Sequence, residues 1–353
     1  MGTRNMMSKT VLCASALLCF GTVPNVSAAE LNMRILGWFG STPLIAEYEK
    51  PYWQSLEKRT GGSASADYRT LDELGLSGFD ALRTLQGGSF HMINTMLAYI
   101  GGDDPLFMGP ELPSLSYSFD DVRKLIDAYA PVIDGRLQSQ YGGKLVAAFP
   151  YSPQILFCKG EIGSLDELQG KKVRVSGAFA AKAVEHFGAI SVTLSAPEVY
   201  QALLQGVVDC AATGASYGNA NDWHEVTDTL IPLAIGGSGI AIYAMSTQFW
   251  DSLTPAQQQA ISTEVDAAEA GLWAKTEEYD VDGMNCNLGK DPCKFGRLGK
   301  MKLMEISSED RERMKSALRE SVLPDWMSEC ERVEPNCRSI WNDSVGKVVD
   351  IQM

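Results

Sequence analysis

The sequence predicts an α/β fold of two domains that face each other across a cleft. Near the start of the chain, short apolar segments alternate with helical ones in the order β-α-β-α-β, and a second such unit spans about residues 153–240. This alternation is typical of a mainly parallel sheet with helices on its faces. A mature chain of about 320 residues also exceeds what one hydrophobic core usually supports. Ligands of such proteins usually bind in the cleft between the domains.

The first 29 residues are interpreted as a signal peptide. Arg4 and Lys9 precede the apolar run "TVLCASALLCF", and small residues lead to a predicted cleavage point after Ala28 or Ala29. The apolar run is too short to span a bilayer reliably. We therefore expect an exported, soluble mature protein.

The first predicted domain comprises residues 30–152 together with about 241–279. Its opening strand, "MRILGWFG", is followed by a helix for which Thr42 is the expected N-cap and Pro51 the expected kink. The strand "ASADYRTL", the helix "SGFDALRTLQGG" and the strand "SFHMIN" complete the first unit. Ser118 is then predicted to cap the helix "FDDVRKLIDAYAPVID".

The second predicted domain comprises residues 153–240 together with about 280–353. Ser164 and Ser195 each begin an S-x-x-E pattern, which predicts a helix start at both places. Between them lie the strand "KKVRV", the helix "AAKAVEHFG" and the strand "SVTL", and the strand "VVDCAAT" follows.

After the second α/β unit, Thr254 is expected to cap a helix of more than twenty residues.

The charge of the chain excludes some classes of partner. The sequence carries 44 acidic and 30 basic residues, for a net charge of −14. Removal of the signal peptide takes away two basic residues and no acidic ones, so the mature value is −14 − 2 = −16. Such a surface repels nucleic acids and anionic lipids, and no nucleic-acid partner is expected.

Six cysteines remain after removal of the signal peptide, and an even number in an exported chain predicts disulfides. The pairs with C-x6-C spacing predict local bridges, and these are Cys286–Cys293 and Cys330–Cys337. Cys158 and Cys210 form either a third bridge or two buried thiols. The chain has no C-x2-C spacing and only three histidines, so neither a metal site nor a cofactor is predicted.

One motif raises the possibility of an enzyme. The segment "GASYG", residues 214–218, matches the G-x-S-x-G pattern of a nucleophilic serine that follows a strand. A hydrolase of that type needs an acid and then a histidine later in the chain, but the only downstream histidine, His224, is too close. A secreted hydrolase using Ser216 is therefore the less favoured alternative, and no enzyme is predicted.

The strongest candidate for ligand binding is Arg174. It lies near the carboxyl end of its predicted strand, where open α/β sheets bind ligands, while Val173 and Val175 point to the opposite face. A planar guanidinium in a cleft suits bidentate binding of a carboxylate. The alternative is a salt bridge with an acidic side chain at the rim, and the charge pattern alone does not decide between them.

Aromatic residues follow several predicted strand ends and are candidates for a pocket lining. These are Trp38, Phe39, Phe179 and Tyr217, with core packing as the alternative for each. Asn94, at the end of the strand "SFHMIN", is a further candidate contact.

The segment "SLDELQGKKVRVSGAFAAKAVEHFGAISVTLSAPEVYQALLQGVVDC" closely resembles the signature of the solute-binding proteins of TRAP (tripartite ATP-independent periplasmic) transporters. In that family, D-L-x-G-x-K-x-R forms a strand, a helix ending in G-A follows, and E-x-Y-x-A-L-x-x-G-x-x-D comes next. The matching residues are Asp166, Leu168, Gly170, Lys172, Arg174, Gly188, Ala189, Glu198, Tyr200, Ala202, Leu203, Gly206 and Asp209.

The resemblance implies a periplasmic-binding-protein-like fold with a central cleft, hinge strands and a long domain-spanning helix. It also implies that Arg174 holds the carboxylate of an organic acid. Thr213 stands where many members have a ligand-contacting Asn. Sialic-acid-type members carry a second arginine near the position of Gln154, and its absence argues against that ligand subgroup. The Glu-Trp pattern typical of 2-oxo-acid binders is also missing. Because Trp38, Phe39 and Phe179 lie near strand ends, we expect a carboxylate with an apolar or aromatic tail.

The resemblance further implies a partner and a compartment. We expect a monomeric periplasmic receptor that delivers its ligand to the membrane permease subunits of a TRAP transporter. A receptor for an ABC importer or for a chemosensory system is the alternative, because the same cleft would serve either.

Overall fold

A computed structural model describes residues 1–2, 31–116 and 118–353. Apart from its first two residues, the predicted signal peptide lies outside the described residues. The strands are β1 (Leu31–Gly37), β2 (Ala64–Thr70), β3 (Met92–Met96), β4 (Gly143–Pro150), β5 (Ile155–Cys158), β6 (Lys172–Val175), β7 (Ile190–Thr193), β8 (Cys210–Thr213), β9 (Thr229–Ile231), β10 (Ile240–Ser246) and β11 (Lys302–Leu303).

The α-helices are α1 (Lys50–Gln54), α2 (Leu56–Arg59), α3 (Ala81–Gln86), α4 (Leu97–Ile100), α5 (Phe119–Arg136), α6 (Ala178–His186), α7 (Val199–Leu204), α8 (Ala215–Ala220), α9 (Trp223–Val226), α10 (Thr247–Asp251), α11 (Pro255–Asn287), α12 (Ser308–Ala317), α13 (Leu323–Val333), α14 (Cys337–Asp343) and α15 (Val345–Val349). Shorter 3₁₀ and π turns extend several of them, including π turns at Leu44–Glu49, Leu137–Tyr141 and Leu318–Val322 and a 3₁₀ segment at Pro105–Glu111.

The first sheet has the order β2-β1-β3-β10-β4. Strands β1, β2 and β3 run parallel, as the β-α-β-α-β order predicts, and β10 runs antiparallel to β3 and β4. Its central strands β3 and β10 are almost fully buried, because helices cover both faces. We call this sheet and its helices the first domain.

The second sheet has the order β11-β9-β5-β8-β6-β7. Strand β6 lies between β8 and β7 and runs parallel to both, whereas β5 is antiparallel to β8 and β9. We call this sheet and its helices the second domain. The α/β architecture with two domains is therefore confirmed.

The chain crosses between the domains through two short segments and one helix. The first crossing joins β4 to β5 and the second joins β9 to β10. They run side by side, because the Tyr151 amide donates to the Gly239 carbonyl at 2.5 Å and the Gln154 amide to the Gly237 carbonyl at 3.1 Å. These are the predicted hinge strands.

Helix α11 is the predicted long helix that spans both domains. Thr254 caps it, with its hydroxyl accepting from the Gln257 amide at 3.3 Å. In the first domain, the Thr276 hydroxyl donates to the Pro150 carbonyl at 2.9 Å. In the second domain, a Cβ on Gly283 would lie 2.4 Å from the Ser216 amide nitrogen, so a glycine is required for this close packing.

The C-terminal helices contact both domains. The Trp326 indole of α13 donates to the Pro105 carbonyl at 2.7 Å, and α13 also packs on α6 of the second domain. Helix α15 packs on α5 of the first domain. This part of the chain therefore contacts both domains.

The six described cysteines are paired as Cys158–Cys210, Cys286–Cys293 and Cys330–Cys337. The two local bridges are those that the C-x6-C spacing predicts. For Cys158 and Cys210, left open by the sequence, the structure favours the bridge, since the two residues are directly opposite each other on β5 and β8 with Cα atoms 4.0 Å apart.

The segment after β1 differs from the expected helix. It begins with the π turn Leu44–Glu49, and the Thr42 hydroxyl bonds to the Tyr151 hydroxyl at 2.7 Å instead of capping a helix. Pro51 explains the wider turn, since it has no amide hydrogen to donate to the carbonyl four residues earlier. By contrast, Ser118 caps α5 as predicted, its hydroxyl accepting from the Asp121 amide at 3.2 Å.

Among the described helices, none combines the length and the apolar character needed to cross a membrane.

Candidate functional site

Arg174 is buried between the two domains, with 1% of its surface exposed. Its Nε and Nη2 atoms donate to the Leu194 carbonyl at 2.9 and 2.6 Å, and Nη1 donates to the Ala212 carbonyl at 2.7 Å. Nη2 also donates to the Tyr99 hydroxyl, 3.1 Å away in the first domain. Every one of these partners is neutral.

The charge of Arg174 is therefore not balanced within the part of the chain that the structure describes, because no described carboxylate forms an ion pair with it. The expected alternative, a rim salt bridge, is not what the structure contains. A guanidinium has five N–H donors, and four hydrogen bonds leave one N–H on Nη1 available. Burial of an unpaired cation is costly, and an anion beside it would remove that cost.

Strand β6 places the Arg174 side chain on the cleft side of the sheet, because successive side chains along a strand point to opposite faces. Val173 and Val175 are completely buried on one face of the strand, so the arginine between them points to the other. Gly177 follows at the strand end, where a Cβ would lie 2.8 Å from the Ala98 carbonyl oxygen of the first domain. The glycine thus lets the two domains approach closely beside the arginine.

Three tyrosines surround this part of the cleft: Tyr99, Tyr151 and Tyr217, all at most 6% exposed. Burial raises the pKa of Tyr151 and of Tyr217, and the neighbouring Tyr99 raises that of Tyr217 further. Both hydroxyls therefore stay protonated at neutral pH and keep a hydrogen to donate. Trp38 packs edge-on against Tyr99 and Tyr151, with ring centres 5.0 and 6.4 Å apart.

Gln154 and Thr213 lie on the hinge side of the site, each 5% exposed. The Gln154 amide nitrogen donates to the Ser152 carbonyl at 2.7 Å, and Thr213 ends β8, the strand whose Ala212 carbonyl holds Arg174. A Cβ on Gly214 would lie 2.6 Å from the Ser152 side chain and 3.9 Å from the Gln154 amide nitrogen. The first crossing is therefore packed directly against the end of β8.

The predicted aromatic residues are all buried, but they differ in position. Trp38 and Tyr217 lie beside the Arg174 cluster, as described above. Phe39 packs edge-on against Trp38, with ring centres 5.0 Å apart. Phe179 is 2% exposed at the start of α6, two residues after Gly177.

Asn94 belongs to a different polar cluster, inside the first domain. Its amide nitrogen donates to the Glu49 carboxylate at 2.8 Å, and both side chains are buried. Burial raises the pKa of Glu49 to about 7, although the hydrogen bond from Asn94 and the nearby hydroxyls of Tyr68 and Tyr243 oppose that rise. The structure therefore does not bring Asn94 into hydrogen-bond contact with Arg174.

We expect the Glu49 carboxyl to make the stability of the protein depend on pH. Its pKa in the folded state is above the ordinary value of 4.5, so its contribution is fully present below pH 4.5 and is lost as the pH rises through about 7. That contribution is about 3 kcal/mol at most. Urea denaturation of wild-type protein and of Glu49→Gln between pH 4.5 and 8 measures it. An equal loss of stability in both proteins would contradict the assignment.

Two residues of the cleft, Tyr99 and Tyr151, were not among the candidates from the sequence. Tyr99 follows β3 by three residues and Tyr151 follows β4 by one. The rule that selected Trp38, aromatic residues just after a strand, would also have selected both.

The serine of the G-x-S-x-G motif has no catalytic partners among the described residues. The described hydrogen bonds of the histidine rings join His91 to the Arg34 amide, His186 to Ser321 and His224 to Asn219, and none involves Ser216. The motif instead forms the start of α8, and its Gly218 leaves space for the Phe157 ring, which lies 2.3 Å from a Cβ at that position.

A groove of about 450 Å³ opens between the domains next to this site. Ser41 and Glu47 line it from the first domain, and Lys294 and Arg297 line it from the second. The nearby Ser41 side chain opposes the rise in the pKa of Tyr217, so the groove adjoins the cluster around Arg174.

Two α/β domains joined by hinge strands, with a buried arginine between them, are the arrangement of a solute-binding protein with an interdomain cleft. The profile of the family described as "Bacterial extracellular solute-binding protein, family 7" (DctP) matches residues 41–326. The chain belongs to this family, the solute-binding proteins of TRAP transporters, which are receptors and not enzymes.

Several known proteins are similar to this chain in sequence or in fold. The uncharacterized protein YiiZ of Salmonella typhimurium is 25% identical over 239 residues, covering 64% of this chain and 70% of YiiZ. DctP7 of Bordetella pertussis, a receptor that binds pyroglutamic acid, has a similar fold with a TM-score of 0.75 and 19% identity, over 88% of this chain and 99% of DctP7.

Two further solved structures share the fold. A TRAP solute-binding protein of Desulfovibrio salexigens with bound orotic acid has a TM-score of 0.78 and 15% identity, over 90% of this chain and 99% of its own. A TRAP solute-binding protein of Shewanella oneidensis with bound succinate has a TM-score of 0.76 and 16% identity, over 90% of this chain and 99% of its own.

Proposed function

We propose that this protein is a periplasmic receptor that captures an organic acid in its interdomain cleft and delivers it to a TRAP-type permease. The observation that carries the proposal is Arg174, a buried cation whose described partners are all neutral. A ligand carboxylate would supply the missing charge through the remaining Nη1 N–H and the nearby tyrosine hydroxyls.

The other contacts that we propose come from both sides of the cleft. The polar groups come from Gln154 in the first crossing and from Thr213 and Tyr217 in the second domain. Trp38 of the first domain offers an apolar wall. Phe39 and Phe179 complete the apolar surroundings behind these residues. Binding would close the cleft only to the extent that the ligand interacts better with the closed state.

The comparisons support an acid as ligand. The bound molecules named for three structures of this fold are pyroglutamic acid, orotic acid and succinate, and each carries a carboxylate. The many aromatic side chains around Arg174 favour an acid with a ring or an apolar tail, in agreement with the expectation from the sequence.

The family membership also supports the proposed domain boundaries and the proposed periplasmic location of the protein. We propose the signal peptide at residues 1–29, the first domain at 30–152 plus about 241–279, and the second domain at 153–240 plus about 280–353, with the C-terminal helices packed across both. A monomer of this organisation in the periplasm would present both domains to the permease.

Mass spectrometry of the small molecules released by denaturation tests the proposal. We expect an organic acid in about one equivalent per protein, and calorimetry should show that the refolded, ligand-free protein binds it again. Release of a neutral or cationic compound that rebinds tightly would refute an acid receptor. If nothing is released, titration of the refolded protein with pyroglutamate, orotate, succinate and a set of aromatic acids tests whether it binds an organic acid. Absence of binding to all of them would count against the proposal.

A further inference from the structure

We propose that Glu111 is a positioning residue that fixes the pivot about which the two domains rotate. Glu111 ends the 3₁₀ segment Pro105–Glu111 of the first domain and is completely buried. Its two carboxylate oxygens accept from the backbone of the second crossing, Oε1 from the Gly239 amide at 3.1 Å and Oε2 from the Ile240 amide at 2.8 Å. One side chain thus holds two successive amides at the point where the crossing enters β10.

The crossing needs such an anchor because its own backbone is unusually free to rotate. Gly237 and Gly239 have φ values of +108° and +72°, which side-chain-bearing residues rarely adopt. A Cβ would also lie 2.7 Å from the Glu111 carbonyl oxygen at Gly237 and 1.9 Å from the Ser152 carbonyl oxygen at Gly239. The packing therefore demands glycines here, and glycines alone would leave the rotation axis poorly defined.

The electrostatic environment indicates a specific role for the carboxyl group. Burial raises the pKa of Glu111 to about 8, and only the backbone bonds from Ile240 and Gly239 oppose this rise. No described cation forms an ion pair with Glu111. Burial without a counter-ion is costly for the ionised carboxylate, and the two backbone amides are the described groups that favour its charged form.

The pivot is connected to the arginine site by direct packing. A Cβ on Gly236 would lie 2.7 Å from the Gln154 Cβ and 2.9 Å from the Ala212 Cβ. The Ala212 carbonyl in turn accepts from Arg174. A shift of the crossing would therefore change the position of Arg174 relative to Tyr99 of the first domain, and only this consequence for ligand binding rests on the proposed function.

Hydrogen exchange of the ligand-free protein tests the role of Glu111 without any ligand. We expect Glu111→Ala to raise the exchange rate of amides in residues 236–241 at least about tenfold, because local opening of the crossing becomes easier. Glu111→Gln keeps one acceptor oxygen but turns an NH₂ group toward the other amide, so its effect should be smaller than that of alanine. Peptides from β1, β6 and β8 should keep the wild-type rates.

Glu269→Gln is the matched control. Glu269 of α11 also accepts a backbone hydrogen bond, from the Ala148 amide at 3.1 Å, but Ala148 lies within β4 and not in a crossing. This variant should leave exchange at residues 236–241 unchanged. Wild-type exchange at the crossing in Glu111→Ala would overturn the proposal. Faster exchange in Glu111→Gln that is spread evenly over both sheets would also overturn it. Faster exchange at residues 236–241 in Glu269→Gln would do the same.

Discussion

Replacement of Arg174 by alanine is expected to weaken binding of the protein's acid roughly 100-fold or more, which is about 3 kcal/mol. The arginine is 1% exposed, and its described partners are the Leu194 and Ala212 carbonyls and the Tyr99 hydroxyl. A carboxylate beside it would therefore be largely desolvated, and removal of the cation would leave that carboxylate buried without a partner. Isothermal titration calorimetry with the acid released from the wild-type protein measures the loss.

Two further variants show whether the effect comes from the shape of the guanidinium or from charge alone. Arg174→Lys keeps the positive charge but cannot reproduce the planar fork that donates to two carbonyls and a ligand at once, so it should recover only part of the affinity. Lys172→Ala removes an exposed cation from the same strand and should bind as the wild type does. Unchanged affinity in Arg174→Ala, or equal losses in Arg174→Ala and Lys172→Ala, would refute the site.

Removal of the Cys158–Cys210 bridge is expected to have the largest effect on stability. The bridge joins residues 52 positions apart, and in the chain-entropy account closure of a loop of that size stabilises the folded state by about 4 kcal/mol. Both cysteines are completely buried at the centre of the second sheet. We therefore expect the double variant Cys158→Ala/Cys210→Ala to unfold at a clearly lower denaturant concentration.

The bridge between Cys286 and Cys293 provides the comparison, since it joins residues only 7 positions apart. Its removal should cost less, about 2.5 kcal/mol on the same account. Guanidinium denaturation of the two double variants, followed by circular dichroism, measures both changes. A larger loss for the short loop than for the long one would contradict the loop-entropy explanation.

Much of the fold could be predicted because it depends on local patterns. The alternation of strands and helices gave the two α/β units, and the caps at Ser118 and Thr254 were correctly predicted from single residues and the positions that follow them. The local disulfides followed from spacing alone. The direction of Arg174 also followed from alternation with its two valine neighbours.

Other features could not be predicted, because they join residues that are far apart in the chain. Tyr99 meets Arg174 across 75 positions, and Glu111 meets Ile240 across 129. The expected contact of Asn94 with the ligand site rested on its place at a strand end. The structure shows its amide directed at Glu49, 45 positions earlier, because the π turn Leu44–Glu49 brings that carboxyl over the sheet.

The sequence by itself therefore determined the fold class and the family resemblance, and it singled out Arg174 as the residue around which we propose the site. Periodicity and spacing report which face of an element is buried and which residue types it carries. The tertiary structure alone decided that the described partners of Arg174 are neutral, that Tyr99 is one of them, and that Glu111 accepts from two amides of the second crossing. These facts depend on which distant side chains meet when the two sheets and their crossings pack together, and no local pattern records that.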